Sequence, residues 1–414
     1  MNWTETTHVI PNGVQTESKM PNRHVEGVYP KYITKGHGAR VWDDDGKEYV
    51  DYTCSLGTNL LGHANAGVIN AVTNQIRQGT LFGLPHPDET VLAQKLVDYF
   101  PSGEMIRFLK TGSEACSAAV KIARAYTGKR VILTCGYHGW HDWYNAVTDR
   151  NRGSGAPGKP TVYEFKYNDF KVLAKLIEKH DVAAIIMEPY VYEEPKDNFL
   201  RKIRRVCDEK KIVLIFDEVV TAFRTKKGSA QAMFNVIPDL TTIGKGLGNG
   251  VPIAAVLGKR EFMKVLEGDT FISSTFGGDL LGIAAGLSVM EQLDSAVIDH
   301  IWRMGDCLKS RFNDYSAGMD GVECIGYPCR TFFRFPTEEH KSLFWQECLK
   351  KGVFFGYAQF TSFAHNRTDL DDTMAAMRHG IKMVKKHWDA PLAGLEGKVA
   401  EATIRLVENA AKSA

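Results

Sequence analysis

The sequence predicts an α/β protein built on a mostly parallel sheet that is covered on both faces. Three observations carry this expectation. Apolar runs of strand length occur at Val131–Cys135, Val182–Met187 and residues 212–216, continuous rather than alternating, which is the pattern of strands buried on both sides. Segments of helical spacing lie between such runs, residues 199–209 among them. From about residue 106 to 257 the two kinds alternate, the order that a parallel sheet requires. With 414 residues and 44% hydrophobic composition, the chain can bury a large core and is expected to form two domains.

The elements follow in order. The first forty residues hold three spaced prolines, Pro11, Pro21 and Pro30, and many turn formers. Residues 39–52 read as a hairpin, with Val41 and Tyr49-Val50 on its strands and Asp45-Gly46 at its turn. A helix carries Val68, Ala71, Val72 and Ile76, and a second starts with Asp88 as N-cap, presenting Val91, Leu92, Leu96 and Tyr99. A short strand at Phe108 runs into Thr111-Gly112-Ser113, which opens a helix reaching Tyr126 and closed by Gly128. Such a helix start offers N–H groups, hydroxyls and a positive dipole end suited to a phosphate, although an ordinary Ser cap reads the same.

Gly136-Tyr137-His138-Gly139 follows the strand Val131–Cys135 and puts an aromatic ring at a strand end. His138 and His141 have no Cys or third His at ligand spacing, so no metal site is expected. Residues 151–160, rich in Gly and Pro, read as a mobile loop that could serve as a lid. A further strand covers 251–257, then a small-residue helix covers 280–293. The C-terminal region is expected to hold strands near 330–335 and 353–355 and two long helices at about 370–388 and 393–412.

Composition excludes several function classes. Lys+Arg 51 against Asp+Glu 49 leaves the chain nearly neutral, which gives no electrostatic footprint for nucleic acid or an acidic membrane. No apolar run approaches a membrane span, and the first residues lack a secretory pattern. The eight cysteines contain no C-x-x-C pair and several sit in apolar runs, so they read as buried thiols of a cytoplasmic protein.

The chemistry centres on Asp217 and Lys245. Asp217 stands where the 212–216 strand ends, and open α/β sheets collect ligands at the carboxyl ends of their strands. Lys245 lies between glycines after a second short run. Gly244-Lys245-Gly246 does not fit a phosphate loop, because Gly246 replaces the required Ser or Thr. A strand-end acid and a loop lysine suit pyridoxal phosphate, which needs an acid for its pyridine nitrogen and a lysine for a Schiff base. Singly, each residue also reads as a helix cap or a solvated loop side chain.

The ordered set is more specific than its parts. Thr111-Gly-Ser-Glu-Ala, Tyr137-His-Gly, Glu188-Pro, Phe216-Asp-Glu-Val219, Gly244-Lys245 and Ser274-Thr-Phe-Gly-Gly278 occur in one order. This resembles the class III aminotransferases of the type I pyridoxal-phosphate fold, and within them the glutamate-1-semialdehyde 2,1-aminomutase group. The resemblance spans nearly the whole chain and implies an enzyme that moves an amino group. It implies Lys245 as Schiff-base lysine and proton shuttle, and Asp217 as partner of the pyridinium nitrogen. Val219 would pack on one ring face and Tyr137 on the other, with His138 beside it at the cofactor. Gly112 and Ser113 would bind the phosphate, and Thr275 would reach it from the neighbouring subunit of a homodimer. Glu193 and Arg23 would face the substrate, Arg23 holding a carboxylate.

The implied layout is an N-terminal segment 1–75, a large cofactor domain 76–290 and a small αβ domain 291–414 built with the N-terminal end. Around the substrate the sequence departs from the aminomutase pattern. Asp279 follows the Gly-Gly where that pattern has Asn, Thr361 follows Gln359-Phe360 where it has Glu, and position 193 is Glu rather than Asn. The substrate therefore stays open: a small amine, an amino acid or an amino-sugar precursor. A racemase or epimerase, and a relative that binds without catalysing, are the alternatives.

Overall fold

The computed structural model describes residues 3–148, 151–154 and 161–401. The chain divides into two compact units, one made of 1–56, 61–64 and 299 onward, the other of 57–60 and 65–298. The helix Ala66–Ile76, expected in the N-terminal segment, therefore belongs to the second unit, and that unit extends past residue 290.

In the first unit, β1 (Ile33–His37), β2 (Arg40–Asp43) and β3 (Glu48–Asp51) run antiparallel, with Val41 opposite Tyr49. The turn is closed by Asp43 Oδ1, which accepts from the Asp45 and Lys47 N–H groups, and Gly46 supplies the left-handed residue at φ 81°.

The second unit carries a seven-stranded sheet. Its strands are β4 (Met105–Leu109), β5 (Val131–Cys135), β6 (Val162–Glu164), β7 (Val182–Met187), β8 (Val213–Asp217), β9 (Leu240–Ile243) and β10 (Ala254–Gly258), in spatial order β4-β10-β9-β8-β7-β5-β6. Pairing is parallel from β6 through β9, and β10 runs antiparallel to both its neighbours. Apart from an irregularity at Ala183, where the β5–β7 register shifts, the two faces sort by side-chain alternation. Ile132, Ala184, Ile186 and Ile215 pack with the helix Gly112–Thr127 on one face. Leu133, Ile185, Leu214 and Phe216 pack with Phe199, Ile203 and Cys207 of the helix Phe199–Lys210 on the other. Both faces are buried, which is why these strands read as unbroken apolar runs.

Back in the first unit, β11 (Glu323–Tyr327) and β12 (Arg330–Arg334) form a hairpin, and β13 (Val353–Phe354) adds parallel to β3. Its core gathers Tyr49, Phe312, Phe333, Phe344 and Phe355.

Several expectations are corrected. The helix Pro87–Tyr99 is capped by His86 rather than Asp88, since Pro87 suits the first helical position and Glu89 completes a capping box with His86. Thr111, not Ser113, caps the helix Gly112–Thr127. The helix Arg367–Lys386 stands where 370–388 was expected, but Pro391–Gly394 is a single 3-10 turn and residues 395–401 are not helical. Residues 402–412 of that expected helix, and 155–160 of the expected lid loop, lie outside the described residues. None of the eight cysteines forms a disulfide; seven are buried and Cys307 is half-buried. Among the described residues no single helix is long and apolar enough to cross a membrane.

Candidate active site

The site grows from the carboxyl ends of β8 and β9. These strands are parallel neighbours, with Asp217 opposite Thr242, and Lys245 follows β9 directly after Gly244. Asp217 and Lys245, 28 positions apart in sequence numbering (245 − 217), thus leave the same edge of the sheet on adjacent strands. Lys245 has φ 43°, a left-handed backbone that a non-glycine residue adopts only when its surroundings enforce it.

Asp217 is 4% exposed and accepts four hydrogen bonds among the described residues. Its Oδ2 takes His138 Nδ1 at 2.7 Å and the Cys116 thiol at 3.3 Å. Its Oδ1 takes the Val219 N–H at 3.1 Å and the Thr242 hydroxyl at 3.2 Å. Burial alone would raise its pKa, but the hydrogen bond and charge of His138, with Val219 and Cys116, outweigh that and hold the carboxyl below its ordinary value. The result is a buried, ionised carboxylate at a strand end.

The neighbouring acid has another job. Glu218 is fully buried and accepts from Thr221, Gln231, Ser229 and the Ala230 N–H, tying down the short helix Ser229–Phe234. Burial pushes its pKa up despite these donors.

Two close approaches join the remaining elements to this carboxylate. A Cβ on Gly112 would come 2.8 Å from Val219 Cγ1, so only glycine lets the helix start lie against Val219. Gly139, at φ 99°, lies against Ser113; a Cβ there would sit 2.8 Å from the Ser113 Cα. The helix Gly112–Thr127 opens with a capping box, in which Thr111 Oγ1 accepts from the Glu114 N–H and Glu114 Oε2 accepts from the Thr111 and Lys110 N–H groups. The first N–H groups of the helix lie outside its own ladder, beside a positive dipole end.

Tyr137 is 39% exposed, meets Tyr144 edge-to-face at 5.8 Å, and its N–H donates to Glu188 Oε1 at 3.1 Å. His138 is buried, stacked on Trp143, and its Nε2 has no hydrogen-bond partner among the described residues.

Gly112, Ser113, His138, Asp217 and Val219 are thus brought together, with Tyr137 and Lys245 just beyond the ends of β5 and β9. The surroundings of three further expected residues are as follows. Thr275 is exposed and lines a cleft of about 270 Å³ with Leu81, Phe82, Leu84, His86 and Glu89. Glu193 is exposed and accepts from Asn168 Nδ2 at 3.2 Å. Arg23 lies in the first unit and is buried, where Glu17 holds it and Glu401 approaches to 3.6 Å.

Sequence reasoning missed Cys116 and Thr242. Cys116 is one helical turn beyond Gly112, and Thr242 faces Asp217 in the strand register, so periodicity and register could have found both. One ligand atom from each of Cys116, His138 and Asp217 lies within 4.8 Å of the others, a set of metal-ligating type that sequence spacing had not grouped. Their separations of 2.7 and 3.3 Å from the carboxylate are those of hydrogen bonds.

The sequence profile of "Aminotransferase class-III" matches residues 22–359. A glutamate-1-semialdehyde 2,1-aminomutase from Methanobrevibacter smithii is 34% identical, covering 92% of this chain and 97% of that protein. A 3-aminobutyryl-CoA aminotransferase from Cloacimonas acidaminovorans is also 34% identical, covering 92% of this chain and 96% of its own length. Among solved structures, FumI from Sphingopyxis sp. MTA144, determined with PLP, aligns with TM-score 0.88 at 26% identity over 96% of this chain and 97% of that one. An omega-transaminase from Sphaerobacter thermophilus aligns with TM-score 0.82 at 26% identity over 92% and 96%.

Proposed function

We infer the chemistry from membership first: this chain belongs to the class III aminotransferases. It is a pyridoxal-phosphate-dependent enzyme of the type I fold and moves an amino group, as aminotransferase or aminomutase. The single observation that carries the reading of its site is the buried, ionised Asp217 on the strand next to the one that delivers Lys245.

The residues suit the cofactor. Asp217 offers a fixed negative charge for a protonated ring nitrogen. Gly112 and Ser113, at a helix start, offer N–H groups for a phosphate. Val219 would cover one ring face and Tyr137 the other, with His138 behind Asp217. When bound, pyridoxal phosphate supplies an aldehyde carbon for amines and a protonated ring that takes up the charge left when a proton departs. Lys245 Nζ would hold the cofactor and carry the proton. Asp217 would keep the ring nitrogen charged throughout, which is the source of the electron-sink effect.

Thr275 would complete the phosphate site of the opposite subunit in a homodimer. Its exposure in a cleft rimmed by the exposed apolar side chains Leu81, Phe82 and Leu84 supports that reading. Sedimentation of the cofactor-loaded enzyme tests it, and a monomer with tight cofactor binding would overturn it. Glu193 is proposed as a substrate-side residue from the family pattern alone. The glutamate contacts of Arg23 weigh against a substrate carboxylate there. Cysteines that form no disulfide support a reducing, cytoplasmic setting.

A small amino or keto compound is the substrate class. The aminomutase and the aminotransferase above are equally similar to this chain, so the choice between transfer within one molecule and transfer between two falls to experiment. The purified enzyme, incubated with a panel of amines, should lose its visible cofactor band with one of them and release the matching keto product. Loss of optical activity without keto product would mark a racemase. No spectral response to any amine would mark a non-catalytic relative.

A further inference from the structure

We propose that Cys116 is a positioning residue whose weak thiol donor sets how strongly the Asp217 carboxylate holds the cofactor ring nitrogen. The inference rests on the reading of Asp217 as the ring-nitrogen partner. Cys116 lies on the helix Gly112–Thr127 and is 1% exposed. Its Sγ is 3.3 Å from Asp217 Oδ2 and 3.6 Å from the Thr242 hydroxyl oxygen. Burial and the Asp217 charge push the thiol well above its usual range, although Thr242 and the Lys245 charge act in the opposite direction. It therefore stays an S–H donor; a thiolate there would repel the carboxylate.

Donor strength matters because the same oxygen already takes the 2.7 Å bond from His138. Each further donor draws electron density from the carboxylate and makes it a poorer acceptor for a pyridinium N–H. A thiol is a weak donor and draws little; a hydroxyl is a stronger donor and draws more once its shorter side chain settles toward the carboxylate, and a methyl group would draw none. Sulfur at this position thus fills the space beside the carboxylate while leaving its charge available.

The test compares wild type with Cys116→Ser and Cys116→Ala. Ring-¹⁵N-labelled pyridoxal phosphate is bound to each protein, its nitrogen shift is followed by NMR against pH, and the cofactor Kd is measured by absorbance titration. Cys116→Ser should lose the ring-nitrogen proton at lower pH and weaken cofactor binding about three- to tenfold, the span of one modest hydrogen bond. Cys116→Ala should move the nitrogen titration the other way. Shifts of both variants in the same direction would mean that packing, not donor strength, is at work, and would overturn the proposal. So would wild-type titration and Kd in both. Asp217→Asn is the control that separates the two claims. If it abolishes the ring-nitrogen protonation while both Cys116 variants titrate as wild type, only the Cys116 proposal fails. If it too titrates as wild type, the reading of Asp217 fails.

Discussion

Replacing Asp217 by Asn tests the carboxylate network through stability as well as activity. The amide presents one acceptor oxygen where the carboxylate presents two. Placed toward His138 and Cys116, that oxygen keeps the 2.7 and 3.3 Å bonds, weakened because the acceptor is neutral. The amide NH₂ then faces the Val219 N–H and the Thr242 hydroxyl, which gave their hydrogens at 3.1 and 3.2 Å. Thr242 can rotate and accept instead, but the Val219 N–H cannot, and an orphaned donor costs about 1–3 kcal/mol. The variant should fold and be destabilised by about 2–3 kcal/mol at pH 7. Because the Asp217 pKa is depressed, the carboxylate's share of stability is complete above its ordinary pKa of about 3.9 and is lost as pH falls through the folded value. The gap between wild type and variant should therefore narrow only in strong acid. Denaturant titration of the cofactor-free proteins measures the gap, and turnover should fall by orders of magnitude. A variant with wild-type stability and wild-type turnover would refute the argument.

Three further outcomes are expected. Gly112→Ala sets a Cβ against Val219 Cγ1 at 2.8 Å, and should weaken cofactor binding at least tenfold by absorbance titration while leaving secondary structure intact. Burial lowers the pKa of His24 and of His365 to about 4, so the folded first unit needs both rings neutral. Their contribution is complete above about pH 6.5 and is lost as pH falls toward 4, by about 2 kcal/mol each at pH 5. Thermal melts at pH 7 and 5 should show the drop, and an unchanged melting temperature would contradict it. Arg23→Lys should reduce stability rather than raise KM for carboxylate substrates, since its guanidinium is engaged by Glu17 and Glu401; a selective rise in KM for acidic substrates would restore it to the active site.

How far the sequence could be read depends on the range of the forces involved. The parallel strands were legible because burial on both faces leaves unbroken apolar runs, as at Val182–Met187. The direction of β10 was not, because Ala254–Gly258 is apolar in either orientation and only its pairing to β4 and β9 sets its sense. His86 was missed as a cap although Pro87 marks the first helical position. Asp217 and Lys245 were legible as strand-end residues. Their hydrogen-bond shell was not, since Cys116, His138 and Thr242 reach the carboxylate from three separate elements. The engagement of Arg23 by Glu401, far along the chain, leaves no local signal at all.

The central claim is that Lys245 is the residue that holds the cofactor. Borohydride reduction of the purified, cofactor-loaded enzyme, followed by peptide mass mapping, addresses it directly. A pyridoxyl group is expected on the peptide carrying Lys245, and none in Lys245→Ala, which should still bind pyridoxal phosphate reversibly through its phosphate and ring contacts. A pyridoxyl group on any other lysine, or none on an enzyme that visibly holds the cofactor, would contradict it.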